Sequence, residues 1–169
     1  MKVVIINGKG ESGKDTVVDI SEIYSQLTVY NFSSVDIVKR AGHLLGWGNE
    51  KTAKDRKFLA DLKKLSIEYN DQPTNYLLYA IKNTEEESLV FCHIREPSEI
   101  KKLKNKILEE DLNIEVTTVL VKRDDQIFGN DADDLSEQYD YDFTILNDND
   151  IYDLRLRVLD FLKNINVPT

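Results

Sequence analysis

The chain has 169 residues, 22 of them basic and 31 acidic, for a net charge of −9. Such acidity opposes binding to DNA or to an anionic membrane surface, so neither nucleic acid nor membrane is an expected partner. A single cysteine, Cys92, excludes an internal disulfide framework and a Cys-based zinc site, while 41% hydrophobic and 31% charged residues describe an ordinary globular chain.

One domain over residues 1–169 is expected, long enough to close its own core. No apolar run reaches the length of a membrane span, and the opening 1–7 is too short for a signal-peptide core, which makes a cytoplasmic protein the expectation. Residues 3–7 form a β-branched run that predicts a strand buried on both faces. A helix follows from Gly13, with Val17, Ile20, Tyr24 and Leu27 on one stripe. Residues 27–32 read as a second strand. Three helices come next: 35–45, closed by Gly46-Trp47-Gly48; 51–70, with Phe58, Leu62, Leu65 and Tyr69 at helical spacing; and one from Pro73 to Lys82. Tyr69, Tyr76 and Tyr79 also recur near helical spacing, as core residues do. Strands at 88–93, 114–121 and 143–146 then alternate with helices at 97–109 and 150–164. Alternation of this kind predicts an α/β domain with a parallel sheet and right-handed crossovers. The helical stretch 34–83 is an insertion of the sort that binds a substrate at the carboxyl edge of a sheet.

Directly after the first strand stands Gly8-Lys9-Gly10-Glu11-Ser12-Gly13-Lys14-Asp15-Thr16. Glycine lets several consecutive N–H groups curl into one concavity, and the helix opening at Gly13 adds its own amides and the positive end of its dipole. Lys14 supplies a point charge to the outer phosphates and Ser12 a donor at the rim. The residue after the lysine is Asp15, where the general phosphate-loop pattern carries Ser or Thr. A carboxylate there suits Mg²⁺, although an acid in a first helical turn is also favoured by the dipole alone. Thr16 is the hydroxyl left to reach the α-phosphate.

Ser12-Gly13-Lys14-Asp15-Thr16 resembles the Ser-Gly-Lys-Asp loop of bacteriophage-type deoxynucleoside monophosphate kinases and of phosphomevalonate kinases. Both lie within the nucleoside monophosphate kinase superfamily of P-loop kinases. The resemblance implies a three-layer P-loop fold with a five-stranded parallel sheet in the order 2-3-1-4-5, a helical acceptor-binding insertion at 34–83 and a lid-like segment at 123–141. It also implies ATP and Mg²⁺ as cofactors and phosphoryl transfer to a small phosphorylated acceptor, a (deoxy)nucleoside monophosphate first. Weaker echoes are the segment 32–39, Lys54-Asp55-Arg56-Lys57, the strand ending Cys92-His93-Ile94-Arg95, Leu135-Ser136-Glu137 and the final strand before Asn147. His93 stands where the related strand ends in aspartate. The stretch 124–142 holds eight acidic residues and no Lys or Arg, where related lids send arginines to the transferred group.

On this reading Lys14, Arg95 and Arg123 are the catalytic candidates. Gly8, Lys9, Gly10, Glu11, Ser12, Gly13, Lys14, Asp15, Thr16 and Asn147 hold the nucleotide, and Asp15 holds the metal. Asp36, Lys39, Arg40, Arg56 and Arg95 face the acceptor. Each has a plainer account: an ion pair with Glu96 or Glu99 for Arg95, a solvated helix face for Lys39, Arg40 and Arg56, and a helix cap for Asp36. Two alternatives stay open: a nucleotide-binding module or NTPase without productive transfer, and a kinase for a non-nucleotide phosphate such as phosphomevalonate.

Overall fold

A computed structural model describes residues 1–123 and 138–169. The elements run β1 (Lys2–Asn7), α1 (Lys14–Tyr24), β2 (Thr28–Ser33), α2 (Asp36–Leu44), α3 (Ala53–Asn70), α4 (Gln72–Lys82), β3 (Ser88–His93), α5 (Pro97–Glu109), β4 (Glu115–Lys122), β5 (Phe143–Leu146) and α6 (Ile151–Asn164). All strand pairs are parallel and the sheet order is β2-β3-β1-β4-β5. The lid-like segment expected at 123–141, with Leu135-Ser136-Glu137, lies largely outside the described residues.

The strand period of two sorts β1 onto two cores. Val4 and Ile6 join Phe91, Val119, Val121 and Ile145 under α1 and α6, with Val17, Val18, Leu154, Val158 and Phe161 on the helical side. Val3 and Ile5 face the other way, with Val90 and Cys92, onto Leu77, Leu78 and Ile81 of α4 and Ile100, Leu103 and Ile107 of α5. The result is three layers, helix–sheet–helix, as the alternating pattern requires. Cys92 is fully buried, and burial pushes its thiol up to about 12.

The stretch 34–83 divides in two. Helix α4 is an ordinary crossover helix of the second layer, with six buried residues. The excursion proper is α2, which buries only Val38 and Gly42, and α3, which buries none. A stripe of Phe58, Leu59, Leu62, Lys63, Ser66 and Ile67 is half-buried on α3, while Leu65 and Tyr69 are exposed at 63% and 85%. The expected stripe through Leu65 and Tyr69 is thus rotated, because α3 turns a mixed face inward. Tyr79 is exposed as well and only Tyr76 of the three tyrosines is packed against a core.

Polar ties attach α3 and α4 to α5. Lys63 Nζ bonds Glu96 at 2.7 Å and Glu99 at 3.0 Å. Lys102 and Lys106 each reach Asp71 at 3.2 Å, and Lys82 pairs with Glu110. Because a parallel sheet ends all its strands on one side, Asn7, Ser33, His93 and Lys122 gather along the carboxyl edge.

Candidate phosphate-binding site

Gly8 and Gly13 have φ of 151° and 98°, and Glu11 sits at 61°. These left-handed turns curl the loop. Both glycines are required for space as well: a Cβ on Gly8 would lie 2.4 Å from the Val121 carbonyl oxygen, and one on Gly13 would lie 2.4 Å from Asn147 Nδ2. Asn147, just past β5, donates from Nδ2 to the Ser12 carbonyl at 2.9 Å and is itself held by its N–H bond to the Lys122 carbonyl at 2.7 Å. It shapes the loop from behind.

Lys14 bends back over the loop, its Nζ donating at 2.6 Å to both the Gly8 and Lys9 carbonyls. A positive charge therefore closes one side of the concavity. The N–H groups of Gly10, Glu11 and Gly13 have no hydrogen-bond acceptor among the described residues, and α1 opens at Gly13 without a side-chain cap. Ser12 Oγ is sealed from solvent with no hydrogen-bond partner among the described residues. Buried polar groups are normally satisfied, so this donor set fits an anionic polyphosphate. Asp15 is exposed in the first turn of α1 and Thr16 half-buried beside it. Asp15 offers the hard oxygen Mg²⁺ prefers; no cluster of three or more His, Cys, Asp or Glu exists among the described residues, so phosphate oxygens would have to complete the coordination.

His93 ends β3 at the carboxyl edge of the sheet, in register with Ile6 of β1. Burial holds its imidazole below the usual value; Asp15 and Asp36 pull the other way, and Lys14 and Lys39 reinforce the burial. Burial favours the neutral ring, and Nε2 is sealed from solvent with no hydrogen-bond partner among the described residues. A neutral imidazole does not replace a carboxylate as an Mg²⁺ ligand. Its electrostatic neighbours matter more here: Lys14 and Asp15 come from the phosphate loop, and Asp36 and Lys39 from the excursion.

Where β2 leads into the excursion, Asp36 Oδ2 accepts the Ser33 N–H at 2.8 Å, which secures the turn into α2. Lys39 and Arg40 are exposed on the same helix, and the Arg40 guanidinium lies 5.4 Å over the Tyr76 ring. Arg56 is exposed in the first turn of α3, next to the Thr52–Asp55 capping box. Arg95 is exposed two residues beyond β3. The two acids expected to compete for it, Glu96 and Glu99, are bound by Lys63. Arg123 is exposed one residue beyond β4.

Two features escaped the sequence reading. Asn7 is a 1%-exposed polar residue at the end of an apolar strand. Its signal was that very interruption, one position before Gly8. The other is the Lys63–Glu96–Glu99 cluster. Burial and a hydrogen bond to Glu96 push the Glu99 carboxyl up to about 7, while for Glu96 burial is outweighed by hydrogen bonds with Glu99 and Lys63, which draw it below its ordinary value.

No protein-family model matches the chain, and no curated protein matches it. Solved structures do. One from Chloroflexus aurantiacus, assigned provisionally as a kinase, is 10% identical over 96% of each chain at a TM-score of 0.53. The APS kinase of Mycobacterium tuberculosis is 20% identical over 96% of each chain, TM-score 0.46, and the shikimate kinase of Aquifex aeolicus 16% identical over 98% of each, TM-score 0.47. The chain has the α/β P-loop kinase fold. Among the described residues, no helix is long and apolar enough to cross a membrane.

Proposed function

We propose that the protein transfers the γ-phosphoryl group of ATP, with Mg²⁺, to a small phosphorylated acceptor, a (deoxy)nucleoside monophosphate first among them. The observation that carries this is the phosphate loop: Gly8 and Gly13 at positive φ curl it, Lys14 Nζ closes it at 2.6 Å over the Gly8 and Lys9 carbonyls, and it follows β1 at the same sheet edge where β2 leads to Asp36 and β3 leads to Arg95. Phosphoryl transfer asks for alignment and positive charge more than for covalent chemistry. The Gly10, Glu11 and Gly13 amides with Ser12 Oγ would bind the phosphates, and Lys14 would turn from the loop carbonyls to the outer phosphate. Asp15 would hold Mg²⁺, which neutralises charge developing on the transferred group. Lys39, Arg40 and Arg95 would hold the acceptor phosphate, with Arg123 as a further cation from the base of the acidic segment.

The second reading is a module that binds nucleotide without productive transfer, and His93 in place of a metal-binding carboxylate favours it. ATP consumption across nucleoside monophosphates, deoxynucleoside monophosphates and phosphomevalonate separates the two. Acceptor-dependent ADP formation supports the kinase. ATP binding with no acceptor-dependent turnover supports the module.

A further inference from the structure

Asn7 ends β1, and its parity continues that of Val3 and Ile5, toward the α4–α5 core. Its side chain makes three hydrogen bonds in three directions. Oδ1 accepts the Gly8 N–H at 2.8 Å. Nδ2 donates to the Arg95 carbonyl at 2.9 Å and to the Tyr141 hydroxyl oxygen at 2.7 Å. Both amide protons are thereby used, and one more lone pair remains on Oδ1.

The three partners belong to separate segments. Gly8 opens the phosphate loop. Arg95 is the cation just past β3. Tyr141 lies on the stretch that leads into β5, anchored one residue later where Asp142 Oδ2 accepts both the N–H and the hydroxyl of Thr118 at 2.7 Å. Tyr141 also meets Tyr139 edge-on at 5.0 Å, and both rings pack against the α4–α5 core. A hydrophobic residue at position 7 would fill the same space and hold none of the three.

We propose that Asn7 is a positioning residue that locks the phosphate loop, the Arg95 arm and the Tyr141 stretch into one register. This rests on the phosphoryl-transfer reading, in which the distance from the Gly8 loop to Arg95 sets the alignment of donor and acceptor. Alignment errors of about 1 Å cost on the order of 100-fold in rate. The carboxamide suits the task because one end accepts from the loop while the other donates to both remaining segments.

Asn7→Asp and Tyr141→Phe dissect the junction. Asp keeps an oxygen for the Gly8 N–H but sets a second oxygen against the Arg95 carbonyl. Phe removes only the Tyr141 hydroxyl and leaves its ring packed. For Asn7→Asp, ATP affinity by calorimetry is expected within threefold of the parent, while kcat/KM for the acceptor falls about 30-fold or more. Tyr141→Phe should lower kcat by about threefold to tenfold, and this loss should disappear in an Asn7→Ala background. Amide exchange supplies a readout independent of turnover. AMP-PNP should slow exchange at 8–13, 94–96 and 139–142 in the parent, but only at 8–13 in Asn7→Asp. Protection of all three stretches in Asn7→Asp would overturn the proposal, as would losses in ATP affinity and kcat that merely track a lowered Tm. A parent that binds no nucleotide would refute the phosphoryl-transfer reading instead. The junction is then decided without nucleotide: exchange at 94–96 at least tenfold faster in Asn7→Asp sustains it, and unchanged exchange there refutes it.

Discussion

The sheet with its phosphate loop and the α2–α3 excursion are built on different physical terms. Around β1 every strand residue from Val3 to Ile6 is fully buried, and apolar helices cover both faces. The excursion buries two residues of α2 and none of α3, and its attachment to α5 runs through the Lys63–Glu96–Glu99 cluster and the pairs of Asp71 with Lys102 and Lys106. A close-packed interior resists displacement of even a methylene, whereas a polar joint can be remade in a second geometry at small cost. The sheet and its loop are therefore the rigid reference, and the excursion is the part that can adapt.

Stability is the bluntest way to break this contrast. Phe91→Ala in β3 is expected to lose about 3–5 kcal/mol, and Leu65→Ala on α3 less than about 0.5 kcal/mol. Urea denaturation of both variants checks it, and comparable losses would mean that α3 shares the core after all.

Binding probes the rigid half next. Lys14→Ala should lower ATP affinity by about 100-fold, since a charge-assisted contact to phosphate is lost, with Tm nearly unchanged. Titration calorimetry beside a melting curve decides, and unaltered affinity would remove the lysine from the site. Arg95→Ala, at the edge of the sheet just past β3, tests the proposed acceptor contact with a smaller effect. ATP affinity should hold, while kcat/KM for the acceptor falls about tenfold or more. An active parent whose kinetics ignore the change would take Arg95 out of the acceptor site.

The smallest effect concerns pH and the joint itself. Glu99 holds its proton up to about 7 in the folded chain, against an ordinary value of 4.5. Between those values the native state binds a proton that the unfolded chain has released, so this group's contribution to stability declines as pH rises through that window and levels off above it. His93 acts in the opposite sense. Its folded value lies below 6.5, so stability is lost as pH falls below 6.5 and the unfolded chain gains the proton. Glu99→Gln should remove the first slope and leave the second. Urea midpoints at pH 5 and pH 7.5 for parent and variant isolate the difference, and parallel profiles would refute a shared proton in the cluster.

The same contrast explains what could be read from the sequence. Strand β3, strand β5, helix α5 and the loop from Gly8 to Thr16 lie where the residue pattern puts them, because local periodicity and glycine geometry determine them. The face of α3 could not be read in this way. Its inward stripe includes Lys63 and Ser66, and the partners of Lys63 are Glu96 and Glu99, more than 30 residues on. In the linear chain those two acids look like the favoured first turn of a helix, and only tertiary contact reveals a buried cluster. Asn7 is similar: its three bonds reach Gly8, Arg95 and Tyr141, and two of those partners are remote in sequence. Lys39, Arg40 and Arg56, the cations proposed for the acceptor, carry no such pattern. Exposed basic residues on a helix obey no local rule that separates a ligand contact from a solvated surface.

Cys92 gives the chain a clock of its own. It is the only thiol, it lies in the strand that hydrogen-bonds both β1 and β2, and burial leaves it neutral and inert. A thiol reagent can reach it only in molecules whose sheet has parted. Its labelling rate under native conditions thus counts those rare openings one molecule at a time. Any nucleotide that binds only the closed form must slow that count by the factor 1 + [L]/Kd. Affinity can then be timed in the unmodified protein, without a substrate, a product or an added probe.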